Sequence, residues 1–193
     1  MIEPPQKADF ERVLCARHLK DYVIRAWPQV EPVRPFRDNW HIDALCEHLE
    51  AVHLRQITRL VINIPPGTMK SLMCGVFWPS WVWSKDAEAK WITASYSPIV
   101  ARRDAYRAQR LMEAPWYQER WGHLWRPNYG DWGTTRYSNN RAGFRLAVTV
   151  GGGVTGEHAD HQLVWLARVG GDVENRVWHF AEVDDNFRQD RKS

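Results

Sequence analysis

The chain is predicted to form an α/β fold, a mainly parallel sheet flanked by helices with an N-terminal helical segment ahead of it. Three observations predict this. An apolar run, Leu60-Val61-Ile62-Asn63-Ile64, stops at Pro65-Pro66-Gly67 and delivers Lys70-Ser71 to the start of an apolar helical segment, which reads as strand, tight turn and helix. Strand-like and helix-like segments then alternate, the order that implies crossover connections in a parallel sheet. Two helical patterns lie upstream of the first strand.

The first of these runs from Asp9 to Trp27, where Phe10, Val13, Leu14, Leu19, Tyr22, Val23 and Ala26 recur at helical spacing and Pro28 closes the pattern. Pro28, Pro32 and Pro35 make an extended connector. Trp40, Ile42, Leu45, Leu49 and Val52 mark a second helix to about Leu54, with His41 and Asp43 near its start as base-contacting candidates or plain first-turn polar residues. After the strand and turn, Leu72 to Trp83 is apolar nearly all round and predicts a buried helix bent near Pro79. Ala89 to Ser95 is the next strand, rich in β-formers, and Pro98 to Glu113 the next helix, with Arg102, Arg103, Arg107 and Arg110 on or near one side. Those arginines suit either DNA phosphates or a solvated face.

Trp116 to Gly122 reads as a short aromatic helix, and Tyr137-Ser138 with Gly143 to Val150 as a hairpin. Gly151-Gly152-Gly153-Val154-Thr155-Gly156 is a loop through which backbone can approach a ligand, or a flexible connection. His161 to Ala167 is a further core strand. Glu157, His158, Asp160 and His161 match no zinc or di-metal spacing and read as loop polarity. These boundaries divide the chain into a helical segment, 1–58, a core, 59–168, and a divergent tail, 169–193, with a frayed end.

With 193 residues, the chain has room for one well-buried α/β domain and is short for two. Charged residues are 25%, hydrophobic ones 44% and the net charge is +3, a globular composition with a mild basic bias that permits nucleic-acid contact without requiring it. No stretch approaches the roughly 18 apolar residues of a membrane span, so no membrane association is expected. Cys15, Cys46 and Cys74 are odd in number, form no C-x-x-C pair and follow no signal peptide, as expected in a reducing cytoplasm. Most of the twelve tryptophans fall in apolar clusters such as Trp78, Trp81 and Trp83 and read as core.

The chemistry-bearing candidate is the turn. A strand-to-helix junction gathers unpaired backbone N–H groups and the positive end of the helix dipole, which suits a phosphate. Lys70 supplies a charge for terminal phosphates and Ser71 a hydroxyl for Mg²⁺. The usual phosphate loop is spelled G-x-x-x-x-G-K-[ST], and here Ile64 and Met69 stand at the glycine positions. The competing reading is a plain turn with a solvated Lys70 and a capping Ser71.

Asn39-Trp40-His41-Ile42-Asp43-Ala44-Leu45, the Leu60 to Ser71 stretch, Phe77-Trp78-Pro79-Ser80-Trp81, Thr93-Ala94-Ser95-Tyr96-Ser97, Pro115-Trp116-Tyr117-Gln118 and the Gly151 to Gly156 loop occur in the order found in phage terminase large subunits. The chain resembles their N-terminal ATPase region over roughly residues 9 to 164. The resemblance implies a P-loop NTPase-like fold that hydrolyses ATP to drive viral double-stranded DNA into procapsids, alongside a terminase small subunit and a portal, in the bacterial host cytoplasm and with a possible homo-oligomeric state. It implies a Pro66-Gly67-Thr68-Met69 cradle, Lys70 and Ser71 on phosphates and Mg²⁺, and Trp40 and His41 beside the adenine.

One element departs from that family. Where its ATPases carry an acidic pair after a strand like Gln162-Leu163-Val164, this chain reads Trp165-Leu166-Ala167-Arg168. Asp184-Asp185 is a displaced candidate, and a change of reading frame near Val164 is the simpler explanation, leaving a truncated copy that binds nucleotide without fast turnover and lacks the family's nuclease domain. A non-catalytic fragment binding DNA or terminase subunits is the alternative expectation, and a non-viral P-loop kinase or helicase a more distant one.

Overall fold

The computed structural model describes residues 7–65, 67–95, 97–149, 158–167 and 177–183. Helices α1 (Lys7–Arg17), α2 (Leu19–Val30) and α3 (Trp40–His53) precede strand β1 (Arg59–Ile62). A continuous helical stretch follows the turn: α4 (Lys70–Leu72), a π-helical turn (Met73–Phe77) and α5 (Trp78–Trp83). Then come β2 (Trp91–Ser95), α6 (Pro98–Glu113), α7 (Pro115–Trp121), β3 (Pro127–Trp132), β4 (Arg136–Asn139), β5 (Phe144–Thr149), β6 (His161–Ala167) and β7 (Val177–Val183).

The sheet order is β1-β7-β6-β2-β5-β4-β3. Strand β2 pairs in parallel with both β5 and β6. The other pairings are antiparallel, so the sheet is mixed rather than mainly parallel. The cause is topological: β4 and β5 are joined by the tight Asn139 to Gly143 turn, which permits only an antiparallel neighbour, and β7 returns beside β6 and separates it from β1. Successive residues Trp91, Ile92 and Thr93 are all buried although they face opposite sides of the sheet, so both faces of β2 are covered.

The single helix expected over Asp9 to Trp27 is two. His18 is extended (φ −134°, ψ 133°), and the Glu50 carboxylate of α3 accepts the Leu19 N–H that opens α2. Pro28 lies within the last turns of α2 rather than closing it. Near Pro79 the expected irregularity appears as the π-helical turn just before it. In a regular helix residue 79 would donate to the carbonyl of Gly75, but proline has no N–H. Arg145 of β5, buried to 1% exposure, supplies the donor from Nη1 at 2.6 Å. Of the divergent tail, Val177–Val183 is paired along both edges within the sheet. Strand β3 was not anticipated.

The N-terminal helices share one core with the sheet and its helices. Tyr22 of α2 donates to Ser80 Oγ (2.8 Å), and the Trp81 indole donates to the Cys15 carbonyl (2.7 Å), so both polar groups are satisfied inside the core. Tyr22 also packs against Trp116 and Trp121, with ring centroids 5.7 and 5.5 Å away. These contacts fix α2, and with it the connector that follows, relative to the turn after β1.

Candidate functional site

The backbone between β1 and α4 makes two left-handed steps. Gly67 has φ +82°, and nothing lies within 4 Å of the Cβ it lacks, so conformation and not space calls for glycine there. Met69 has φ 62° and ψ 1°, an unusual state for a residue with a side chain. This is the position at which the usual phosphate loop carries its second glycine, so the departure lies in the residue and the backbone follows the glycine conformation. Ile64, at the other glycine position, has no positive φ. Thr68 Oγ donates to the Pro65 carbonyl at 2.7 Å and closes the turn.

Met69 immediately precedes the helix, whose first i to i−4 bond runs from Met73 N to the Met69 carbonyl (2.9 Å). The N–H groups of Lys70, Ser71 and Leu72 therefore belong to the unsatisfied first turn. Lys70 is only 5% exposed, and its ammonium donates to the Ile64 carbonyl at 2.6 Å, folding the side chain back over the turn. Burial pushes its pKa below that of an ordinary lysine.

The turn forms one wall of a cleft of about 640 Å³. The opposite wall is the connector between α2 and α3, with Arg34, Arg37, Asp38, Asn39 and His41. An adjoining lobe of about 380 Å³ is lined by Glu31, Arg34 and the stretch from Gly67 to Leu72. Trp27 holds the connector against the turn: its indole donates to the Arg34 carbonyl (2.6 Å), and its ring meets Phe36 edge-on at 5.6 Å and stacks with Phe77 at 6.2 Å. Lys20 anchors the far end on Asp43 and Asp38, with Nζ 2.9 Å from Asp38. The hydrogen bonds that Lys20 donates to Asp43 and Asp38 raise its pKa to about 12, and the one to Asp38 lowers the pKa of that carboxyl.

Gly67, Thr68, Met69, Lys70 and Ser71 thus meet on one wall and His41 faces them from the other. The His41 Nε2 is buried with no hydrogen-bond partner among the described residues. Trp40 is 77% exposed and is not among the residues that line the cleft. Pro66, Asp184 and the loop 151–156 lie outside the described residues. Arg34 and Arg37 also line the cleft, a place that the connector's prolines do not reveal in the sequence.

On α6, Arg103 pairs with Asp104 (2.9 Å), Arg107 with Glu31 (3.7 Å) and Arg110 with Glu113 (3.4 Å), while Arg102 has no carboxylate partner among the described residues. Asp160 accepts the Lys90 N–H at 2.9 Å, and His161 stacks on Trp91 with centroids 4.3 Å apart, so both are built into the β2–β6 seam. Among the described residues no three His, Cys, Asp or Glu side chains group as a metal site. Among them, too, no helix is long and apolar enough to cross a membrane.

No protein-family model, curated protein or solved structure matches the chain. The class of protein is therefore defined by fold and site alone: an α/β protein with a mixed open sheet, in which a strand–turn–helix junction bearing a buried lysine faces a cleft.

Proposed function

We propose that the cleft binds a Mg²⁺-nucleoside triphosphate, ATP in the first instance, and that the chain is a P-loop ATPase region of the phage terminase large subunit type. The observation that carries the nucleotide reading is the left-handed Met69 directly before Lys70-Ser71. It gives the chain the left-handed turn that glycine adopts readily, and the first helical turn, with Lys70 and Ser71, lines the smaller lobe. Lys70 would exchange its bond to the Ile64 carbonyl for a phosphate oxygen, a stronger charge-assisted contact.

Ser71 lines the same lobe and offers a hydroxyl to a Mg²⁺ held otherwise by phosphate oxygens and water, a donor set that this ion accepts. That ion would neutralise charge on the transferred phosphoryl group. His41, with an unpartnered Nε2 in the opposite wall, is the base-side candidate. The terminase reading rests on the ordered sequence matches, and with it the partners: viral double-stranded DNA, a small subunit, a portal and further copies of the chain. Asp184 is the candidate for the missing catalytic acid. Reading the chain as a DNA-binding fragment finds less support, since three of the four α6 arginines already have carboxylate partners.

The test joins binding to turnover. Mg-ATP should raise the melting temperature of the wild type and leave that of Lys70→Ala unchanged, as ligand linkage requires. Phosphate release that is abolished in Asp184→Ala as well would assign catalysis to the tail. Equal stabilisation of wild type and Lys70→Ala overturns the nucleotide reading.

A further inference from the structure

Both carboxylates among the described residues of the cleft wall are engaged by a cation, Asp38 by a lysine that it shares with Asp43. Asp38 is paired with Lys20 at 2.9 Å, and Glu31, in the smaller lobe, with Arg107 at 3.7 Å; neither Lys20 nor Arg107 lines the cleft. Lys70, Arg34 and Arg37 do line it, and none of them has a carboxylate partner among the described residues. Among the described residues the lining therefore holds three cationic side chains with no carboxylate paired to them. Elsewhere among the described residues, Arg12, Arg25, Arg103, Arg107, Arg110, Arg120 and Arg136 each pair with a carboxylate.

A concave surface lined by charges of one sign focuses its field on the cleft and draws an anion into it. A single phosphate presents its oxygens at one point, whereas a triphosphate chain, with Mg²⁺ bound, presents them along a length that can meet more than one of these cations. Arg34 lines both lobes, and so lies where a chain starting at Lys70 would continue toward the connector. We infer that Arg34 and Arg37 are phosphate-binding residues that make the cleft selective for a triphosphate over a monophosphate. This rests on the nucleotide reading of the Lys70 loop and adds to it a second cationic wall, contributed by the connector and not by the loop.

The guanidinium groups bind without holding the fold. The structural contact of Arg34 is its backbone carbonyl, which accepts the Trp27 indole whatever side chain follows, and both arginines are exposed. Arg34→Gln and Arg37→Gln should therefore fold as the wild type does, which circular dichroism and melting curves verify. Calorimetric titration with Mg-ATP, ADP, AMP and inorganic tripolyphosphate then reads the effect.

The wild type should bind ATP at least tenfold more tightly than AMP. Arg34→Gln should lose about tenfold in ATP affinity, the scale of one charge-assisted contact, with AMP changed less than about threefold. Tripolyphosphate competing with ATP in the wild type but not in Arg34→Gln locates the preference in the phosphate chain and not in the base. An unchanged ATP-to-AMP ratio in both arginine variants, with affinity lost in Lys70→Ala, overturns this inference and leaves the nucleotide reading standing. Unchanged affinity in Lys70→Ala as well overturns both. Loss of duplex-DNA affinity in the arginine variants with ATP affinity intact would reassign the cations to nucleic acid and also overturn the inference.

Discussion

Replacing Met69 by glycine and, separately, by alanine tests the shape of the loop without touching its charges. A residue with a Cβ pays about 1–2 kcal/mol to hold the left-handed conformation seen at Met69 (φ 62°). The Met69 side chain is partly buried against the core, so removing it costs about 1 kcal/mol, roughly half the value of full burial. Alanine forfeits that packing and keeps the strain. Glycine forfeits the same packing and relieves the strain, but adds about 0.5–1 kcal/mol of backbone entropy to lose on folding. Met69→Gly should thus be more stable than Met69→Ala by about 0.5–1 kcal/mol, the reverse of the order at an ordinary helix start. For a chain of this size a difference of 1 kcal/mol appears as about 2–4 °C in melting temperature, and urea titration gives the same ordering. Because the glycine variant keeps the loop backbone, its Mg-ATP affinity should stay within a few-fold of wild type. Alanine equal to or more stable than glycine would refute the left-handed turn and the reasoning built on it.

Three further outcomes follow from individual contacts. Burial lowers the Lys70 pKa below its ordinary 10.5, so its cation is present below the lowered value and lost as pH rises through it; ATP affinity should decline on that limb, and Lys70→Arg should remove the decline. In the same window the unfolded chain binds the extra proton, so the contribution of Lys70 to stability rises with pH. Burial pushes the thiols of Cys15, Cys46 and Cys74 up to about 12, so a thiol reagent at pH 8 should label none of them in the native protein and all three in denaturant; native labelling would contradict their place in the core. Arg145 serves the Gly75 carbonyl that Pro79 cannot, so Arg145→Met and Pro79→Ala combined should cost about 1 kcal/mol less than the sum of the single changes, and strict additivity would show that the two are unconnected.

The parts legible in the sequence were those fixed by neighbouring residues. Helix α3, helix α6 and the β4–β5 hairpin follow from short-range periodicity and turn chemistry, and α6 begins at Pro98 with Ser97 as its cap, the Ser97 Oγ accepting the Val100 N–H. The Lys70-Ser71 junction was equally local. Features set by distant partners were hidden. The break at His18 interrupts a continuous apolar periodicity because Glu50, far along the chain, captures the Leu19 N–H. The insertion of β7 between β1 and β6 depends on pairing that no local pattern encodes, and it is what makes the sheet mixed. In the site, the loop wall was legible from its motif, and His41 from the start of α3. Arg34 and Arg37 were not, because what aims the connector at the loop is one indole bond from Trp27 to a backbone carbonyl and the packing of Trp27 on Phe36.

The most direct measurement is a calorimetric titration of Mg-ATP into the wild-type chain and into Lys70→Ala at neutral pH. Lys70 is a buried cation of the loop, and among the described residues its ammonium has only the Ile64 carbonyl to leave. The predicted result is one site per chain in the wild type, with affinity at least tenfold lower or unmeasurable in Lys70→Ala. Wild-type affinity retained in the variant, or no binding by a folded wild-type chain, would contradict the assignment of this cleft to a nucleotide.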